Sequence, residues 1–149
     1  MSAATRLAVA TAWVLLGTAR LLTLVLPSTV VRHLLGEQRS PSATGPDPGR
    51  GPSPLGERDL TRARRIGWVV GTAAARTPWR SDCFPQALTA RLLLWAARVP
   101  HVVTFGLRRD DRGTLRAHVW VAVGDAAVTG GASGAWTGVG SFAWAPRRH

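Results

Sequence analysis

A single cysteine, Cys83, occurs in the 149 residues. An intramolecular disulfide is therefore excluded, and so is a metal site of the C-x-x-C kind. Lysine is missing altogether, so all 19 basic residues are arginine. The four histidines, His33, His101, His118 and His149, are scattered without ligand spacing, so no metal centre is expected. The interleaving of aromatic and basic residues that reads single-stranded nucleic acid is also missing, which makes nucleic acid a poor expectation for a partner. Formal net charge is +11. Because the chain is lysine-free and rich in Ala, Gly, Pro and Arg, that charge reflects a GC-rich coding sequence as much as a function. An arginine excess still draws acidic partners such as an anionic lipid surface or an acidic peptide.

What is present is apolar. Hydrophobic residues make up 46% of the chain, enough for a packed core. Three parts follow one another. Residues 1–36 form an apolar helical segment, with the strongest run over residues 6–35. Its longest uncharged stretch, Leu7 to Ala19, has thirteen residues, short of the roughly 20 that span a bilayer. Arg20 interrupts it, Pro27 breaks it further on, and no small-x-small cleavage site precedes Arg20. One or two short helices are expected, lying on the domain, on a partner or at a membrane surface. Residues 37–58 carry five prolines and four glycines, the composition of a flexible linker.

Residues 59–149 hold the chemistry. Asp59 is a candidate cap for a helix through LTRARRIGWVVGTAAAR that Pro78 ends. A second helix starts near Cys83, with Ser81 or Asp82 as its cap and Pro85 in its first turn. Ala87, Leu88, Leu92, Leu94 and Trp95 make it apolar on most sides, hence central and buried. After Pro100 the pattern turns to β. HVVTFGLRR and TLRAHVWVAV flank the turn residues 110–113, Gly124-Asp125 marks a second turn, AAVT is a short strand, GGASGAWTG is a loop, and VGSFAW is the last strand. Two helices followed by an antiparallel sheet make an α+β domain.

Cys83 at a helix start meets unpaired N–H groups and the positive dipole end, which stabilise negative charge on sulfur and supply donors for an oxyanion. His118 lies mid-strand and shares a face with Arg116 and Trp120, while Ala117, Val119 and Val121 take the other. A strand packed across the start of the helix brings imidazole to thiol, the arrangement that activates a cysteine nucleophile. A buried small cysteine and a structural strand histidine stand as the alternative.

DCFPQALTARLLLW, followed by VVTFGLRRDDRGTLRAHVWVAVGDAAVTGG, resembles the lasso-peptide leader peptidases, transglutaminase-like cysteine proteases that mature lasso peptides. That family shows a C-[LF]-P-Q-A-L helix start, an H-A-W-[VL] strand and a G-D-x-x-V-T-G-G segment. The likeness covers roughly residues 60–145, with Val119 where alanine is usual. It implies a papain/transglutaminase-like fold, with the catalytic helix packed on a small antiparallel sheet and an N-terminal helical extension. It also implies Cys83 as nucleophile and His118 as general base, with no cofactor. The orienter of His118 is left between Asp125, in the turn, and Thr129 or a backbone carbonyl. Gln86, one turn after Cys83, is a candidate oxyanion donor, and Trp79 and Trp120 are candidate walls of the site. The activity implied is removal of the leader from a ribosomally made precursor in the cytoplasm. Its implied partners are a separate leader-recognition protein and an ATP-dependent cyclase. A catalytically weak scaffold, or a membrane-surface protein that escorts the precursor, is the rival expectation.

Overall fold

The computed structural model describes residues 1–25, 37–39, 55–78, 83–124, 126–130 and 136–146. Helix α1 spans Ala3–Val25. Strand β1 spans Glu37–Arg39, helix α2 Glu57–Ala74 and helix α3 Cys83–Ala96. Strands β2 (His101–Arg109), β3 (Leu115–Val123), β4 (Ala126–Thr129) and β5 (Thr137–Trp144) follow. The strands form one antiparallel sheet in the order β1-β5-β2-β3-β4. The helices pack as a layer on one of its faces, which is the expected α+β architecture.

Alternation along the strands decides which face the helices cover. Val119, Val121 and Val123 of β3, Val103 of β2 and Phe142 of β5 are buried in one core cluster with Ala87, Leu88, Ala90 and Leu94 of α3. Helix α3 is buried along most of its length, as its nearly all-apolar sequence predicts. It closes on a left-handed residue, Arg98 (φ 57°). The N–H groups of Arg98 and Val99 return to the carbonyls of Trp95 and Leu94 at 3.0 and 2.9 Å. This is the double bond of a Schellman stop, and it turns the chain into β2. The β2–β3 turn is fastened by Asp110, whose carboxylate accepts from the backbone N–H of Arg112 and Thr114 and from Arg116 Nε.

Four expectations are corrected. Helix α1 is one helix that runs through Arg20: arginine is a good helix former, and an isolated charge does not end a helix. The segment expected as a linker opens with β1, which pairs with β5; three backbone pairings need no apolar periodicity to form, and residues 40–54 lie outside the described residues. Helix α2 begins at Glu57, capped by Gly56 without a side-chain bond, so Asp59 sits inside the first turn beside Glu57 rather than at the cap. Both carboxylates complement the helix dipole there. The same helix ends at Ala74, before Pro78 is reached. The expected caps of α3, Ser81 and Asp82, lie outside the described residues.

Helix α1 is held by one face. Val9, Ala12 and Leu16 interlock with Val69 and Ala73 of α2, and Ala19 joins the main core. The spacing of three and four residues is that of a single helical stripe.

Candidate active site

Cys83 is the first residue of α3, and its thiol is free and half-buried. Pro85, buried in the first turn, lacks an N–H that would in any case have no partner in the helix. The remaining N–H groups of that turn are the donors a helix start offers to negative charge. Next to Cys83, the ring of Phe84 packs on that of Phe105 with centroids 6.1 Å apart. Phe105 is the cross-strand partner of Val119. The start of α3 therefore lies at the level of His118 along β3.

His118 is half-buried in the middle of β3, opposite Gly106 of β2. Its Nε2 lies 2.6 Å from the carbonyl oxygen of Gly130. A carbonyl can only accept, so the ring proton sits on Nε2 and the free lone pair on Nδ1. One backbone group thus fixes both the tautomer and the direction of the ring. Alternation sets His118 and Trp120 on the face opposite Val119 and Val121, which meet the helices. Strand β4 ends where Thr129 pairs with Val121, so the edge of β3 beside His118 lies beyond its last pairing. No hydrogen bond joins Cys83 to His118 among the described residues: Cys83 packs against the core on the helix side of the sheet, while His118 faces the other way, so the expected pairing of thiol and imidazole is not made in this structure.

The imidazole sits among aromatic rings. Trp136 stacks on it with centroids 4.9 Å apart and Trp120 with centroids 5.9 Å apart, each at 27° between planes. The guanidinium of Arg108 lies 4.5 Å from the centre of the Trp136 ring on a cation–π contact. Two glycines make room for this stack. A Cβ on Gly106 would stand 2.7 Å from the Trp120 ring and 3.2 Å from Trp136 Cβ. Gly130 has φ +74°, and a Cβ there would stand 2.8 Å from the Val119 oxygen and 3.1 Å from His118 Nε2. Glycine is what lets the 130 carbonyl reach the ring.

Of the residues expected at this site, Cys83 begins the helix, and Trp120 stacks on the imidazole of His118. Thr129 does not orient it. Its side chain is buried beside Val121, and its hydroxyl has no hydrogen-bond partner among the described residues. The carbonyl of the next residue takes that part. Asp125 and Trp79 lie outside the described residues. Gln86 is half-buried on α3, three residues past Cys83. Sequence reasoning left a backbone carbonyl open as the orienter but did not reach Gly130 by name, and it missed Gly106, Trp136 and Arg108. The adjacent glycines 130 and 131 were the one available signal.

His101 belongs to the core rather than to this site. It is 3% exposed, its Nδ1 meets the Val99 carbonyl at 2.9 Å, and its ring stacks on Trp144. Burial holds its pKa below the ordinary value; the hydrogen bond to the Val99 carbonyl opposes this, and the charge of Arg91 adds a smaller lowering effect. No group of three or more potential metal ligands occurs among the described residues.

A family model described as the transglutaminase-like superfamily matches residues 22–140. That match includes all of α2 and α3, strands β1 to β4 and the first half of β5. No curated protein and no solved structure matches the chain.

Proposed function

This chain belongs to the transglutaminase-like superfamily, which includes cysteine proteases, and from that premise we propose that it is a cysteine peptidase that removes the leader from a lasso-peptide precursor. The observation that carries the reading is the Gly130 carbonyl on His118 Nε2. It leaves the free lone pair on Nδ1, which supports His118 as the base, and His118 lies beyond the last β3–β4 pairing, at the level of a helix that begins with the only thiol in the chain. The text around both residues, CFPQAL and HVWV, supports the leader-peptidase subtype.

His118 Nδ1 takes the Cys83 proton, and the thiolate attacks the carbonyl carbon of the bond joining leader to core. The oxyanion forms against the N–H groups of the first turn of α3. The imidazolium returns its proton to the departing core amine as the C–N bond breaks, leaving the leader as a thioester on Cys83. Water, deprotonated by His118, hydrolyses that thioester and restores the thiol. In this reading His118 turns from the face away from α3 toward Cys83 when the peptide binds, a conformational step that completes the site. Recognition of the leader falls to a separate protein, and ring closure to a separate ATP-dependent cyclase.

Mass spectrometry of precursor peptide incubated with this protein, with and without the recognition protein, tests the assignment. Cleavage at the leader–core junction, strongest with the recognition protein, is expected. Equal cleavage without that protein would remove the partner from the account. Unchanged precursor in both mixtures would favour the scaffold reading, for which the unmade Cys83–His118 bond is the motivating observation.

A further inference from the structure

Helix α1 is apolar on the side that its packing leaves uncovered. Its inward stripe, Val9, Ala12, Leu16 and Ala19, is buried against the other helices. On the outward side Leu7, Val14 and Leu21 recur at a seven-residue spacing, exposed by 70%, 58% and 61%. Leu24 and Val25 extend the same surface at 73% and 70%. Large apolar side chains along the whole length of one helix are not the scattered exposure of an ordinary surface.

The chemistry of the face indicates what covers it. Its polar side chains, Thr11 and Thr18, turn their hydroxyls back onto the carbonyls of Leu7 and Val14, each at 2.9 Å. Their donors are thereby satisfied within the helix and ask nothing of the surroundings. The helix contains no acidic residue, so a partner helix finds none of the alternating charges that set register and orientation in paired helices. Arg6 stands exposed at the shoulder of the face, and the whole chain carries a net charge of +11. Such a charge draws the protein to anionic headgroups. The window Ala3–Leu22 has a mean hydropathy of 1.2, enough for a span by composition. Its packed inward stripe forbids lipid on all sides, however, and at 1.5 Å per residue α1 offers an edge of about 34 Å lying flat.

We propose that α1 is an in-plane membrane helix: its outward face of Leu7, Val14, Leu21, Leu24 and Val25 sinks into the interfacial layer of an anionic bilayer, with Arg6 at the headgroups. The core packing of α1 then holds the catalytic domain against the lipid surface.

Co-sedimentation of the full chain with vesicles tests this and requires no peptidase activity. The probes are vesicles of phosphatidylcholine alone and of phosphatidylcholine mixed with phosphatidylglycerol. The protein is expected to pellet with the mixed vesicles, and less as salt rises. The triple variant Leu7→Glu/Val14→Glu/Leu21→Glu changes only exposed side chains, and circular dichroism checks that it remains folded. It should lower the lipid partition coefficient by about tenfold or more, the scale set by burying even one such side chain. Arg6→Glu should weaken binding to the mixed vesicles alone. Failure to pellet, or undiminished pelleting of the folded triple variant, would overturn the proposal. So would sedimentation velocity showing a dimer that the triple variant abolishes without any vesicle binding, because the face would then belong to a second copy of the chain.

Discussion

His118 donates its Nε2 proton to the carbonyl of Gly130 across 2.6 Å, and this bond leaves the lone pair of the ring on Nδ1, the nitrogen that the proposed mechanism uses as base. In the triad pattern a carboxylate does this work through a side chain. Here the backbone does it, so the orienting group can be perturbed only through the conformation of residue 130.

Gly130→Ala should therefore act on turnover and on stability together. The added Cβ stands against the Val119 oxygen and the imidazole at a backbone angle of φ +74°, a conformation that costs an L-residue about 1–2 kcal/mol. Leader cleavage is expected to fall by on the order of a hundredfold, the lower range of what a positioned general base contributes. Gly140→Ala in β5 is the control, since a Cβ there meets nothing within 4 Å. Single-turnover rates and melting temperatures of the two variants, measured side by side, check the prediction.

Trp136 should behave as a positioning residue. Trp136→Ala removes the ring lying 4.9 Å from the imidazole and frees Arg108 from its cation–π contact. Loss of an aromatic stack worth about 0.5–1.5 kcal/mol predicts a fall in kcat of up to roughly tenfold. KM should change little, the pH–rate profile should shift, and Trp136→Phe should recover most of the loss. A change confined to melting temperature would mark Trp136 as structural only.

Acid should destabilise the fold through His101. Its folded pKa lies below the 6.5 of the free side chain, chiefly because it is buried. Between those two values the unfolded chain holds a proton that the folded protein refuses, so stability is present above about pH 6.5 and is lost as pH falls through the folded value. Urea midpoints measured between about pH 7 and pH 5 should decline. His101→Phe keeps a ring against Trp144 and should flatten that decline. An equal decline in the variant would assign the effect to other groups.

Much of this arrangement is legible in the sequence. The apolar run after Cys83 gives the buried helix, the change of period after Pro100 gives the sheet, and alternation sets His118 and Trp120 on one face. Those features depend on side-chain pattern, which sequence records. Gly130 escapes because its contribution is a carbonyl, which every residue possesses, delivered by a conformation that only the fold reveals. Trp136 escapes because GGASGAWTG reads as a loop, and its ring reaches His118 only when β5 returns beside β2. Helix α1 is longer than its charge pattern suggests because packing on α2 and α3 carries it through Arg20. Strand β1 carries no apolar signal at all; what makes it a strand is the edge of β5.

The central claim is that the Cys83 sulfur carries the leader as a thioester. Intact-protein mass spectrometry, after acid quench of a mixture with precursor and recognition protein, measures that species directly. Wild-type protein should show an adduct equal to the leader mass less one water, together with free core peptide. Cys83→Ala should show neither. Full cleavage by Cys83→Ala would contradict the account.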